Sequence, residues 1–301
     1  MKSLFCYIFL LLFSTSEPVK NENNFNSPTN KYIYFSTDLK SRGRDIVRIN
    51  ADGSGPRIKL TSNNGRGHYP HHNGPELSPD GTEIVYHSDT DGHDRYAIWT
   101  MNIDGSDKKR ITKKEGLFAS WSPDGKNIIF SGRRNGIWEL IIVPSTGGEE
   151  KNLTKNYKKT KRPDWGATST YHPNGKSIVY SYIREKVLYS MNLTTKEVLK
   201  ISPSGQSFTN ASFSKDGTKL AVNRKINRGY DLITMSPIGS NIEVIAKNVI
   251  SYSAPSWSNS GKEILFIGSI KRNNELFKIN LKTKKEIQLT KNSDFDAFPT
   301  W

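Results

Sequence analysis

The chain has 301 residues, 34% of them hydrophobic, and carries 44 Lys and Arg against 29 Asp and Glu, a formal net charge of +15. That length allows at most two or three ordinary domains, and enough apolar residues remain for a large core, which excludes a disordered chain. The positive excess attracts anionic partners over long range, and the single cysteine, Cys6, excludes cysteine nucleophiles and thiolate metal sites further along.

The first residues read "MKSLFCYIFLLLFSTSEP". Lys2 gives a positive start, Leu4 to Phe13 an apolar run, and Ser14 to Ser16 a small-residue cleavage position. This is the pattern of a secretory signal peptide over residues 1–16, and the run is short for a membrane span. An uncleaved anchor is the alternative. Residues 17–29 read as a flexible leader without buried periodicity. The expected protein is exported, periplasmic or extracellular, and not transmembrane once the signal is cleaved. It loses Cys6 with the signal and holds together without disulfides. Export makes nucleic acid a poor partner and favours an anionic polysaccharide or an envelope component.

From residue 30 onward the chain repeats. The turn Ser78-Pro-Asp-Gly81 returns at Ser122–Gly125 and, in related forms, at His172–Gly175, Ser214–Gly217 and Ser258–Gly261. The steps are 44, 50, 42 and 44 residues. Each turn precedes an alternating apolar stretch, from "TEIVYH" to "KEILFI", whose period of two means strand. A further strand follows at residues 45, 97, 139, 187, 231 and 275, and a last one ends each unit in Leu-Thr or a near match.

A bulky residue precedes each turn: Leu77, Trp121, Tyr171, Phe213 and Trp257. The sixth is Trp301, where the chain stops, while residues 30–61 hold later strands with no such turn before them. The C-terminus should therefore supply the innermost strand of the first unit. The expected fold is all-β, a six-bladed β-propeller over residues 30–301 with four-stranded blades, its first blade closed by the C-terminal strand.

The segments "SWSPDGKNIIFSG" and "YAIWTMNIDGSDKKRIT" resemble the TolB-type propeller family, whose repeat runs from W-S-P-D-G through an apolar strand to an N-x-D-G turn. The resemblance covers residues 30 to 301. It implies the propeller fold and a TolB-like role in the Tol–Pal envelope system, as a scaffold for a protein partner. TolB proteins carry a domain ahead of the propeller, whereas only the leader is expected here.

Antiparallel strands send alternate loops to opposite faces. The SPDG turns share one face with the N-x-D-G turns. The loops between second and third strands share the other with the connectors between blades, here termed the connector face. Five of the six histidines fall in one unit. His68, His71 and His72 lie on the connector before the second unit, and His87 and His93 on its second strand and following loop. Glu76 stands where other units place a small hydroxyl: Ser120, Thr170, Ser212, Ser256 or Thr300.

Eleven of the fourteen arginines map to the connector face. Arg95, Arg133, Arg134, Arg162, Arg184, Arg224, Arg228 and Arg272 are the candidate ligand-binding set, with Trp165 as a surface for stacking a sugar. Guanidinium suits bidentate capture of carboxylate or sulfate.

Two chemistries follow from the histidines. His68, His71, His87 and Glu76 could ligate a divalent metal, zinc or manganese. His72 and His93, with Tyr96, could serve as base and acid in β-elimination of a uronate polysaccharide, with the arginines neutralising the sugar carboxylate. Some polysaccharide lyases resemble propellers with histidine-centred sites. The primary reading is a secreted, monomeric, non-catalytic propeller that binds an anionic partner. The alternatives are a polysaccharide lyase or other metal-dependent enzyme, and an envelope protein–protein scaffold.

Overall fold

The computed structural model describes residues 31–39, 43–62, 69–92, 95–154 and 166–301. The expected signal peptide and leader lie outside the described residues. Every regular element among those described is a β-strand. β1 (Tyr32–Thr37), β2 (Asp45–Asn50) and β3 (Ile58–Lys59) come first. β4 (His72–Leu77), β5 (Glu83–Ser88), β6 (Ala97–Asn102) and β7 (Lys109–Arg110) form an antiparallel meander. So do β8 (Gly116–Trp121), β9 (Asn127–Arg134), β10 (Ile137–Pro144) and β11 (Lys151–Asn152), and then β12 (Ala167–Tyr171), β13 (Ser177–Tyr182), β14 (Leu188–Asn192) and β15 (Val198–Lys200).

The last strands share one eight-stranded sheet: β16 (Phe208–Phe213), β17 (Leu220–Lys225), β18 (Tyr230–Met235), β19 (Glu243–Ile250), β20 (Ser256–Trp257), β21 (Glu263–Ile270), β22 (Asn273–Asn280) and β23 (Glu286–Gln288). Its two halves meet through Val249 opposite Gly268 and Ile250 opposite Ile267. β24 (Asp296–Thr300) pairs antiparallel with β1, so the sheet β24–β1–β2–β3 draws on both ends of the described chain. Arg57 fastens that pairing from the outer side, bridging Asp294 at 3.1 Å and Asp296 at 2.9 Å.

The repeated tetrapeptide builds a self-capped turn. Ser78 Oγ donates to Asp80 at 2.6 Å and accepts the backbone N–H of Glu83 at 2.9 Å. Ser122 and Ser214 repeat both bonds with Asp124 and Asp216. His172 substitutes for the serine by accepting from the N–H of Asn174 through Nδ1 at 3.1 Å, which makes it a turn cap. The Leu-Thr marker is equally local. Thr61, Thr112, Thr154 and Thr290 each accept an N–H from the third strand of their unit (Ile46, Ile98, Leu140 and Leu276) through Oγ1, at 2.8 to 3.0 Å. Gly105 is required at its turn, because a Cβ there would stand 2.7 Å from the carbonyl oxygen of Leu60 in the preceding sheet.

Alternating strand residues bury both sheet faces against neighbouring sheets. Val85 and Ile98 pack with Trp121, Ile128, Phe130 and Ile141. Ile33, Phe35 and Val47 of the first sheet pack with Leu265, Ile267 and Leu276 near the chain's end, and Trp301 joins that cluster. The indole of Trp301 donates to the carbonyl of Ser256 at 3.2 Å.

Replacing Trp301 with Ala removes a buried aromatic ring and this bond together, so the expected loss of stability is about 3–5 kcal/mol. Trp301→Phe keeps most of the packing and loses only about 1 kcal/mol. Urea unfolding of both variants measures the difference; equal, negligible losses would show that the Trp301 ring carries no stability.

Candidate functional site

The second-to-third strand junctions place one exposed arginine in each of five successive meanders, four on the loop and Arg133 within the strand beside it. These are Arg95 before β6, Arg133 at the end of β9, Arg184 between β13 and β14, Arg228 between β17 and β18, and Arg272 between β21 and β22. Arg162 and Trp165 lie outside the described residues. Arg134 and Arg224 are tied to acids within the protein. Arg134 binds Glu150 at 2.7 Å and donates to the carbonyls of Glu115 and Arg133, and Arg224 pairs with Asp231 at 3.2 Å.

The turn that carries Arg272 is strained. β21 and β22 are joined by two residues, Lys271 at φ 50° and Arg272 at φ 70°. Such tight hairpins favour Asn-Gly, and that pair stands at the equivalent turn between β9 and β10, with Asn135 at φ 51° and Gly136 at φ 79°. Two long cationic side chains in left-handed backbone are unfavourable locally, and strain of this kind collects at functional positions.

The histidines behave differently. His72 and His87 are only 4% and 3% exposed. His72 pairs with Ser88 and His87 with Asn73 across β4 and β5, one residue apart in register, so their rings leave opposite faces of the sheet. His72 meets Tyr86 edge-on at 6.0 Å. His87 sits among Tyr96, Phe118 and Phe298 at 5.4, 5.5 and 6.3 Å.

Desolvation lowers His72 to about 4, with the charge of Asp45 opposing the shift, and lowers His87 to about 3, aided by Arg44. Both rings are neutral at pH 7, and both nitrogens of His72 and Nδ1 of His87 have no hydrogen-bond partner. His71 is half-buried, its N–H donating to Asp89 at 2.6 Å. His68 and His93 lie outside the described residues. Among the described residues no group of three or more His, Cys, Asp or Glu could hold a metal ion.

Glu76 ties its sheet to the next. Its carboxylate accepts from Ser120 Oγ and from the N–H of Trp121, both at 2.9 Å, and its backbone carbonyl accepts the Trp121 indole at 3.2 Å. Desolvation raises its pKa to about 7 against these bonds. Glu76 also lines a cavity of about 610 Å³ bounded by β4, β8, β12, β16, β20 and β24.

The innermost strands carry a feature that no sequence marker announced. Register shifts fall at Gly74, Phe118, Asn210 and Phe298, all with φ between 53° and 63°. A Cβ on Gly74 would stand 3.0 Å from Cε1 of His87, so this bulge makes room for the buried ring. The one signal was spacing: Gly74 lies 44 residues before Phe118, one repeat step.

Residues 119–301 match the family described as the TolB beta propeller domain. The chain belongs to that family. The TolB propeller of this chain is similar to the Tol-Pal system protein TolB of Francisella tularensis, at 27% identity over 195 residues, 61% of this chain and 43% of that protein. The matches span 33% and 43% of the curated relatives' lengths. Among solved structures, TolB from Acinetobacter baumannii superposes with a TM-score of 0.77 at 19% identity, covering 90% of this chain and 66% of that one. An oligogalacturonate lyase in complex with manganese superposes with a TM-score of 0.57 at 13% identity, covering 86% and 73%. Both structural likenesses are of fold.

The opposed titrations give a direct test. Folding favours the protonated Glu76, so its contribution is full below pH 4.5 and is lost as pH rises through about 7. For His72 and His87 folding favours the neutral ring, so their contributions are present above pH 6.5 and are lost as pH falls through about 4 and 3. Glu76→Gln removes the first effect alone. Its stability relative to the parent should rise by on the order of 2 kcal/mol from pH 5 to pH 8. Chemical unfolding at the two pH values checks this, and a constant difference would mean that Glu76 stays ionised.

Proposed function

We propose that the strands make six four-stranded blades in a ring closed by β24, and that the chain is an exported propeller that binds an anionic partner on its connector face. The partner class is an acidic polysaccharide or other acidic envelope component. The observation that carries this reading is the exposed arginine at the second-to-third strand junction of five successive meanders, Arg95, Arg133, Arg184, Arg228 and Arg272. A net charge of +15 adds long-range attraction. The strained Lys271–Arg272 turn supports selection for cations there rather than for the easiest hairpin. The apolar start of the chain supports export, and among the described residues no helix is long and apolar enough to cross a membrane.

Binding is favoured over catalysis because His72 and His87 are buried on opposite sheet faces, where neither reaches a polymer. Glu76 is engaged with Ser120 and Trp121.

The test is affinity for uronate-containing polysaccharide at low and high salt. Binding should weaken steeply as salt rises. The triple variant Arg133→Ala, Arg228→Ala, Arg272→Ala should bind about tenfold more weakly with an unchanged fold, from a few tenths to 1 kcal/mol per charge. Salt-insensitive binding, or a triple variant that binds like the parent, overturns the reading. Release of unsaturated sugar by the unaltered protein would replace it with the lyase.

A further inference from the structure

Tyr230 opens β18 and pairs directly with Lys225, the last residue of β17. Lys186 reaches the same ring from the loop between β13 and β14 in the neighbouring sheet. The two ammonium groups stand 5.4 Å (Lys225) and 5.8 Å (Lys186) from the ring centroid. The side chains of Ser251 and Lys186 lie beside the phenol oxygen and favour its ionised form. These pieces come from three segments, yet one strand end holds them all. The N–H of Phe208 donates to the carbonyl of Lys186 at 2.7 Å, the N–H of Lys225 to that of Ser207 at 2.8 Å, and Asn210 Nδ2 to that of Ser251 at 2.6 Å. Asn210 is the bulge residue of β16, at φ 57°. The cluster therefore rests on rigid backbone.

Its charge is one-sided. The carboxylates beside it in sequence are engaged elsewhere, Asp231 with Arg224 and Glu185 with the Tyr189 hydroxyl. Among the described residues no salt bridge joins Lys186 or Lys225 to an acid. Two like charges against one ring repel each other unless a counter-charge arrives. Burial alone would raise the phenol, but the Ser251 and Lys186 side chains and both ammonium charges bring it below its ordinary value of 10.0. The phenol oxygen thus sits in a net positive field.

We propose that Lys186, Lys225 and Tyr230 form an oxyanion subsite on the connector face, filled by a carboxylate or sulfate group of an acidic glycan. The proposal rests on the anion-binding reading of that face and gives it one defined seat between the exposed Arg184 and Arg228. Two ammonium groups supply charge from two sheets, and the phenol O–H supplies a directed donor. Lysine as a point charge suits either oxyanion.

Inorganic sulfate is the first probe. Ultraviolet difference titration of the protein against Tyr230→Phe isolates the Tyr230 phenol. It should ionise below its ordinary range, and sulfate should move it upward, because an anion seated beside the phenol disfavours phenolate. Lys186→Ala with Lys225→Ala should abolish both effects, and Lys225→Arg should restore part of the response. An unsulfated oligouronate and a sulfated oligosaccharide then show which oxyanion fills the seat, and the double variant should bind its ligand about tenfold more weakly. An unmoved Tyr230 titration in saturating sulfate overturns the subsite, as does equal glycan affinity in parent and double variant. A sulfate response without binding of any acidic glycan retains the anion seat and overturns both its glycan occupant and the reading of the whole face.

Discussion

Trp121, Trp257 and Trp301 each send an indole N–H to the carbonyl of a residue 45 positions earlier, Glu76, Ser212 and Ser256, at 3.2 Å in every case. This bond joins the inner strand of one meander to the inner strand of the one before. Its directionality fixes the axial offset between sheets that apolar packing alone would let slide. Once the offset is fixed, equivalent loops fall on one face and equivalent turns on the other. Glu76 reinforces the same junction with its carboxylate, which is why a residue that read as a ligand serves as a staple.

The fold was legible because each marker satisfies its hydrogen bonds locally. The Ser78 and Ser122 turns close within five residues. The Thr61, Thr112 and Thr290 hydroxyls reach only fourteen or fifteen residues back. Such bonds leave a mark at a constant distance along the chain, so the strand Asp45–Asn50 and the strand Ala97–Asn102 are where the repeats put them. The pairing of β24 with β1 was anticipated by Trp301 for the same reason. The bulges at Gly74, Phe118, Asn210 and Phe298 were not, because four residue choices meet one backbone requirement and no side-chain type marks it.

The site was legible only in part. That arginines gather on one face follows from strand alternation and can be counted from the chain. Which of them are free depends on where distant acids end up. Arg134 meets Glu150 through the pairing of β9, β10 and β11, whereas its neighbour Arg133 stays exposed. For the histidines, closeness along the chain leaves the face of each open: residues 72 and 87 sit one register step apart, and a pleated sheet sends such neighbours to opposite faces. Tyr230 and Lys186 gave no signal, being 44 residues apart with no repeat marker at either position.

These contrasts have one origin. The inner strands of a meander packed on both faces leave positions such as 72 and 87 almost no contact with water, so a histidine placed there becomes a core residue whatever its chemistry. His72 and His87 remain neutral, and unpaired nitrogens are tolerated because a neutral imidazole loses far less on burial than an imidazolium. Loops escape that demand. Cations that would be prohibitive in the buried stretch of a strand cost only local backbone strain at Lys271 and Arg272. Charge therefore accumulates where packing has nothing to lose, at the rim of the sheets rather than in their interior.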